Sequence, residues 1–185
     1  MRKFAFGAVL AALLVLSAAR AEDDNPYKAA AVGDWVEYKN VIVQPGGAKM
    51  ESTMKQTVTA KDDKSVTIKN AVSMMGQNHE SEQTINLEEK YEPAPKVPNG
   101  KAEKLEEGAE KIAVGGTDYD CKWYKYKVTA DINGGQMVST FKVWVCKDVP
   151  ISGMVKTESA TSMAIGGQNI DTTSSIELSG SGKGK

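Results

Sequence analysis

The chain has 185 residues, with 23 Lys and Arg against 24 Asp and Glu, a net charge of −1 and a single histidine. That balance excludes a general binder of nucleic acid or anionic membrane. Its longest apolar run, residues 4–16, covers 13 positions, short of the roughly 20 that a membrane-spanning helix needs.

The start of the chain reads as an export signal. Met1, Arg2 and Lys3 carry positive charge, the apolar run follows, and Ala19-Arg20-Ala21 offers small residues at the cleavage positions. The pattern predicts a signal peptide over 1–21, cut after Ala21. The remaining 164 residues hold 20 basic and 24 acidic side chains, net −4. They suit one soluble domain, placed over 22–178. No cysteine occurs in 17–22, so a lipid anchor is not indicated and the protein is expected to be secreted or periplasmic.

Period-two alternation follows, with no comparable 3.6-residue stripe, and this points to strands. Val36, Tyr38 and Ile42 open the first, between Gly33-Asp34 and Pro45-Gly46-Gly47. From Met50 the even positions Met50, Met54 and Val58 are apolar, against Glu51, Thr53, Lys55 and Thr57 on the odd ones. Beyond a charged turn at 61–64, Val66, Ile68, Val72 and Met74 share one face, and Ile85 and Leu87 mark a fourth strand. Strands joined by short turns form an antiparallel meander that can leave one face in water.

The alternation breaks over 91–108. Pro93, Pro95 and Pro98 lack the donor that a central ladder needs, and Asn99-Gly100 signals a turn. The segment reads as a Pro-rich linker or flap across one end of the sheet. Residues 101–107 are too short for an independent helix and are read as an extended pair turning at Glu107-Gly108.

Asn133-Gly134 signals a two-residue hairpin turn. Residues then pair when their numbers sum to 267, which sets Trp123 opposite Trp144, Tyr124 opposite Val143, Tyr126 opposite Phe141 and Cys121 opposite Cys146. The cysteines would occupy a non-hydrogen-bonded pair, where opposing Cα atoms come closest and a disulfide fits. Export favours pairing. The bond would close a loop of 24 residues, worth roughly 3 kcal/mol; a loop one residue longer would separate the two. Gly115-Gly116 predicts a second tight turn, pairing Ile112 with Tyr119 and Lys111 with Asp120. Aromatic residues on both faces leave two alternatives: a hairpin covered on both sides, or a bulge near Lys122. Strands resume over 155–163 and 170–178, and the Gly/Ser/Lys tail 179–185 is expected to be disordered.

Chemistry-bearing patterns are sparse. His79 sits beside a turn without further ligand types at metal-site spacing, and it reads as an exposed loop histidine. The same histidine would have to serve any triad, and Glu88-Glu89 and Glu106-Glu107 read as solvated strand ends. The glycine pairs lack the strand-to-helix setting of a phosphate loop. No catalytic residue, cofactor or metal site is assigned. Seven methionines follow the signal segment, several on the apolar parity of their strands, where a flexible thioether suits either core filling or a ligand-accepting surface.

Two stretches carry a resemblance. Val114-Gly115-Gly116-Thr117-Asp118-Tyr119-Asp120-Cys121-Lys122-Trp123 and Trp144-Val145-Cys146-Lys147-Asp148-Val149-Pro150, with the opening Gly33-Asp34-Trp35-Val36-Glu37-Tyr38, resemble a pattern of uncharacterised secreted bacterial proteins, in which serine is commoner at Cys146. More distantly, a meander with an interrupting flap resembles the LolA-like half-barrel of periplasmic lipoprotein carriers. The resemblance implies a mainly β fold: a single antiparallel meander sheet curved into a half-barrel or open barrel. It carries over no functional residue.

The expected function is non-enzymatic. An apolar concave face would bind a lipid or lipoprotein acyl chain, lined by Met50, Met54, Val66, Ile68, Met74, Tyr124, Tyr126, Phe141 and Val143. The alternative is a structural or protein-interaction module of the cell envelope with no small ligand.

Overall fold

A computed structural model describes residues 25–89, 94, 95, 97, 100–132, 135–165 and 168–184. The signal segment, Pro93, Pro98, Asn99 and the turn residues Asn133, Gly134, Gly166 and Gly167 lie outside the described residues. The alternation resolves into nine strands: β1 (Trp35–Val43), β2 (Lys49–Lys61), β3 (Ser65–Met74), β4 (Gln77–Asn86), β5 (Gly100–Val114), β6 (Thr117–Ile132), β7 (Gly135–Val145), β8 (Met154–Ile165) and β9 (Gln168–Gly182). They form one antiparallel sheet in the order β4-β3-β2-β1-β9-β8-β7-β6-β5. A 3-10 turn, Pro26–Ala29, precedes them. The sheet curls without closing, since β4 and β5 remain edges while β5 reaches β9, four places away.

Local turn chemistry sets the registers. Gly115 and Gly116 adopt φ of 58° and 79°, as a two-residue hairpin turn requires, and Ile112 pairs with Tyr119 and Lys111 with Asp120 as predicted. The sum of 267 holds from Ile132↔Gly135 to Lys122↔Val145, with Trp123 facing Trp144. The breaks in register fall elsewhere, at Lys104/Glu106, at Trp144/Val145 and at the lower ends of β1 and β2. Both ladders of β6 run unbroken through Lys122, and the nearest irregularity lies one strand over, in the β7–β8 pairing at Trp144/Val145, the residues opposite Trp123 and Lys122.

Even positions of β1, β2, β3, β6 and β9, with odd positions of β7 and β8, share the inner face through these pairings. Its lower half is closed. Val36, Val58, Val66, Val143 and Val155 are shut from solvent and belong to one cluster with Tyr38, Ile68, Tyr124 and Leu178. The 3-10 turn drives Tyr27 into this end as a plug. Lys61 fixes the turn by donating to the carbonyls of Lys28 at 2.7 Å and Ala30 at 2.6 Å. Tyr38, fully buried, donates its hydroxyl to the Met154 carbonyl at 3.2 Å, with the Ser152 hydroxyl 3.4 Å away.

Four expectations are corrected. Residues 100–114 form one strand and do not turn at Glu107-Gly108, because Gly108 faces Trp123 across the ladder and an added Cβ there would meet the indole at 2.8 Å. The interrupting segment therefore shortens to 87–99, running from one sheet edge to the other; its described residues Ala94 and Val97 pack on the main core and on a smaller cluster around Val128 and Phe141. Residues 179–182 are not a disordered tail but the end of β9, paired with β1 from Glu37↔Gly180 to Trp35↔Gly182. Alternate glycines leave room for the Trp35 ring against Gly180 and Gly182, and the Gly184 N–H donates to Asp34 Oδ1 at 2.9 Å. Finally, Cys121 and Cys146 are free buried thiols rather than a disulfide. β7 ends at Val145, one residue short of Cys146, whose N–H donates to the Gly153 carbonyl at 2.8 Å and whose Sγ lies 3.7 Å from Asp148 Oδ2.

Candidate functional site

The inner face was expected to carry the site, and all nine candidate residues do fall on it. The structure divides them. Val66, Ile68, Tyr124, Tyr126, Phe141 and Val143 are buried and packed into the two clusters. Met50, Met54 and Met74 stay half-buried, Met54 level with Tyr38 and packed against the main cluster and the other two above it. Ile42 pairs with Met50 and Val72 with Met54, and both are also half-buried, so these five form a contiguous apolar patch across β1, β2 and β3. Alternation alone had marked Ile42 and Val72 as apolar and inward but could not separate open from plugged positions. Met75 is no lining residue: it is exposed, with φ of 52°, in the β3–β4 turn.

Beside the patch the upper inner face of β1, β9, β8 and β7 is polar yet uncharged, and among the described residues charge enters only at the edge strands, with His79 opposite Val72 and Lys104 and Glu107 opposite Tyr126 and Tyr124. Asn40 donates to Ser52 Oγ at 3.2 Å, the hydroxyls of Ser159 and Ser174 meet at 2.8 Å, and those of Ser139 and Thr161 at 2.6 Å. Lower on the face, buried Gln56 donates to Asn70 at 2.9 Å. Serine and threonine at inward positions of strands look like ordinary solvated residues in the sequence, which is why this lane went unread.

A second concavity of about 1000 Å³ opens at the lower end, between residues 26–30, the 146–153 loop and Lys183. Its rim holds Asp34, Asp120, Lys122, Lys147 and Asp148. Asp34 is engaged in holding the chain ends, accepting from the N–H groups of Ala31 and Gly184. Ile151, at φ of 65°, marks backbone strain in the loop.

Titration reports burial more than chemistry. Burial pushes the Cys121 thiol up to about 12, helped by Cys146, Asp120 and Glu110. Burial likewise raises Cys146 and the Tyr27 and Tyr38 phenols. Glu110 is held below the usual carboxylate range by hydrogen bonds from Lys142 and the Trp144 indole. That pair belongs to the outer face, where Lys142 lies over Trp123 at 4.4 Å and over Trp144 at 4.3 Å. Ion-paired lysine and glutamate chains thus lie over the outward tryptophans. His79 is exposed on β4, and among the described residues no three metal-ligating side chains come together.

These features define a single-sheet antiparallel half-barrel with a plugged lower half and an upper inner face left half-buried along its middle strands. No family model matches the chain, and no curated protein matches it in sequence. The chain shares its fold with a protein of Bacteroides fragilis, named as an exported protein with a YmcC-like fold, at a TM-score of 0.51 and 7% identity over 83% of this chain and 97% of that one. Weaker similarity extends to the S-type phycobiliprotein lyase CPES of Guillardia theta (TM-score 0.37, 10% identity, 84% and 89% covered). A LolA superfamily protein of Nitrosomonas europaea follows (0.24, 12%, 83% and 86%). The last two likenesses are too slight to carry an argument, and the first is one of fold alone.

Proposed function

We propose that the protein is a non-enzymatic binding protein, secreted or periplasmic after cleavage behind Ala21, that takes a lipid or lipoprotein acyl chain in the upper half of its trough. The half-buried patch of Ile42, Met50, Met54, Val72 and Met74 on the inner face carries this reading. Apolar side chains left partly open inside a curled sheet gain about 25 cal/mol for each Å² that a ligand covers, and methionine adapts to varied chain shapes.

The alternative, an interaction module pairing through its edges, has less support. β4 presents exposed Glu80 and Glu82, and β5 presents exposed Lys101, Glu103, Lys104, Glu106 and Glu107; charged edges discourage strand addition. Catalysis also lacks support, since the carboxylates with shifted titration among the described residues, Asp62 and Glu110, are lowered at the surface, opposite to the tuning of a general acid.

The test is to purify the exported protein without detergent, extract it with organic solvent and weigh what is released. Near-stoichiometric lipid, lost in Met54→Lys, is expected. Empty protein that also takes up no dodecyl-chain probe would overturn the reading.

A further inference from the structure

We infer that the trough selects an uncharged amphiphile, an acyl chain joined to a hydroxyl, ester or amide head, exemplified by a monoacylglycerol. This rests on the proposal that an acyl chain binds there and specifies what accompanies it. Above Tyr38, the inward positions of β1–β3 and β6–β9 hold no Asp, Glu, Lys, Arg or His among the described residues. From Tyr38 upward, charge on the inner face is confined, among the described residues, to the two edge strands, where His79 pairs with Val72 and the mutually ion-paired Lys104 and Glu107 pair with Tyr126 and Tyr124. A charged head drawn onto the middle strands would therefore leave water without a countercharge beside it.

A bare hydrocarbon fits no better. The lane of Asn40, Ser52, Ser174, Ser159, Thr161 and Ser139 crosses β2, β1, β9, β8 and β7 beside the apolar patch. Each hydroxyl offers one donor and two acceptor sites. The single bond between Ser159 and Ser174 therefore leaves one hydroxyl proton without a protein acceptor among the described residues. Covering the half-buried hydroxyls of Ser52, Ser159, Thr161 and Ser174 with alkane costs the hydrogen bonds they make to water, whereas an ester or hydroxyl replaces them. Ile42 and Met50 share a cross-strand row with Ser174 and Ser159, so tail and head positions lie side by side.

The experiment titrates the delipidated full mature chain calorimetrically with three probes of equal chain length: monododecanoylglycerol, dodecanoate and dodecyltrimethylammonium, each below its aggregation concentration. The neutral probe is expected to bind at least 10-fold more tightly than either ion. Ser159→Ala with Ser174→Ala should weaken the neutral probe several-fold and leave the ions unchanged. Thr161→Val provides a second, nearly isosteric variant, and thermal melting reports whether each variant is folded. Charged probes binding as tightly as the neutral one would overturn the selectivity while leaving the carrier reading in place. Failure of all three would overturn both.

Discussion

Trp35 and Gly182 are direct cross-strand partners, and the indole occupies the space above the glycine. A Cβ placed on Gly182 would fall within 2.8 Å of the ring's Cε2 and closer still to its Nε1, separations that real Cβ atoms do not tolerate. Gly182→Ala must therefore displace the ring, which is also held under the Lys55 ammonium 4.8 Å from its centroid, or pull β9 off β1. Overpacking of this kind costs about 1–3 kcal/mol. For a domain of this size, that is a fall in Tm of roughly 2–12 °C. With Trp35 truncated the obstacle is gone, and alanine recovers the roughly 0.5–1 kcal/mol that glycine costs within a strand. Denaturant melts of Trp35→Ala, Gly182→Ala and the double variant form a cycle. The expected coupling is at least about 1 kcal/mol, with Gly182→Ala harmful only when Trp35 is present. An equal effect of the glycine change in both backgrounds would refute the stacking account and return the tail to a passive role.

Two further outcomes follow from buried polar groups. Tyr38→Phe removes the donor to the Met154 carbonyl in a fully buried setting and should cost about 1–3 kcal/mol, read from the same melts; a change below a few tenths would mean the carbonyl finds another donor. The Cys121 thiol, pushed up to about 12 by burial, should react with iodoacetamide at pH 8 about 1000-fold more slowly in the reduced folded protein than after unfolding, as followed by mass spectrometry. Its folded value lies above the unfolded one of about 8.5, so the associated stability is full below that pH and is lost as pH rises toward the folded value. Alkylation at the rate of the unfolded chain would contradict the burial.

What the sequence disclosed was governed by local rules. Gly115-Gly116 and Asn133-Gly134 each fix a register because a two-residue turn permits one pairing, and every pair they predict from Trp123↔Trp144 inward is present. The cysteines failed at the one step where the ladder had already ended. Residues 77–83 of β4 were missed because an edge strand exposed to water needs no apolar alternation, and only Ile85 and Leu87 betrayed it. Residues 100–108 were misread because the prolines before them and Gly108 imitate a turn; the glycine is instead the clearance for Trp123. The split between open and plugged lining residues depends on Tyr27 and on the segment crossing from β4 to β5, contacts across long sequence separation that no periodicity encodes.

The sheet order makes the last strand its joint. β1–β4 and β5–β8 are two runs of sequential neighbours that meet through β9, paired with β1 on one side and β8 on the other. Neither run owns the trough: its apolar patch belongs to β1–β3, while Ser159, Ser174 and Thr161 belong to β8 and β9. A ligand lying across both would therefore bridge the joint, and since it binds only the completed sheet it stabilises that joint by mass action, about 2.7 kcal/mol at 100 times its Kd. The glycines at 180, 182 and 184 acquire their purpose here. They let β9 seat fully against Trp35 and Gly33, so the strand that completes the inner face is also the one anchored at its far end.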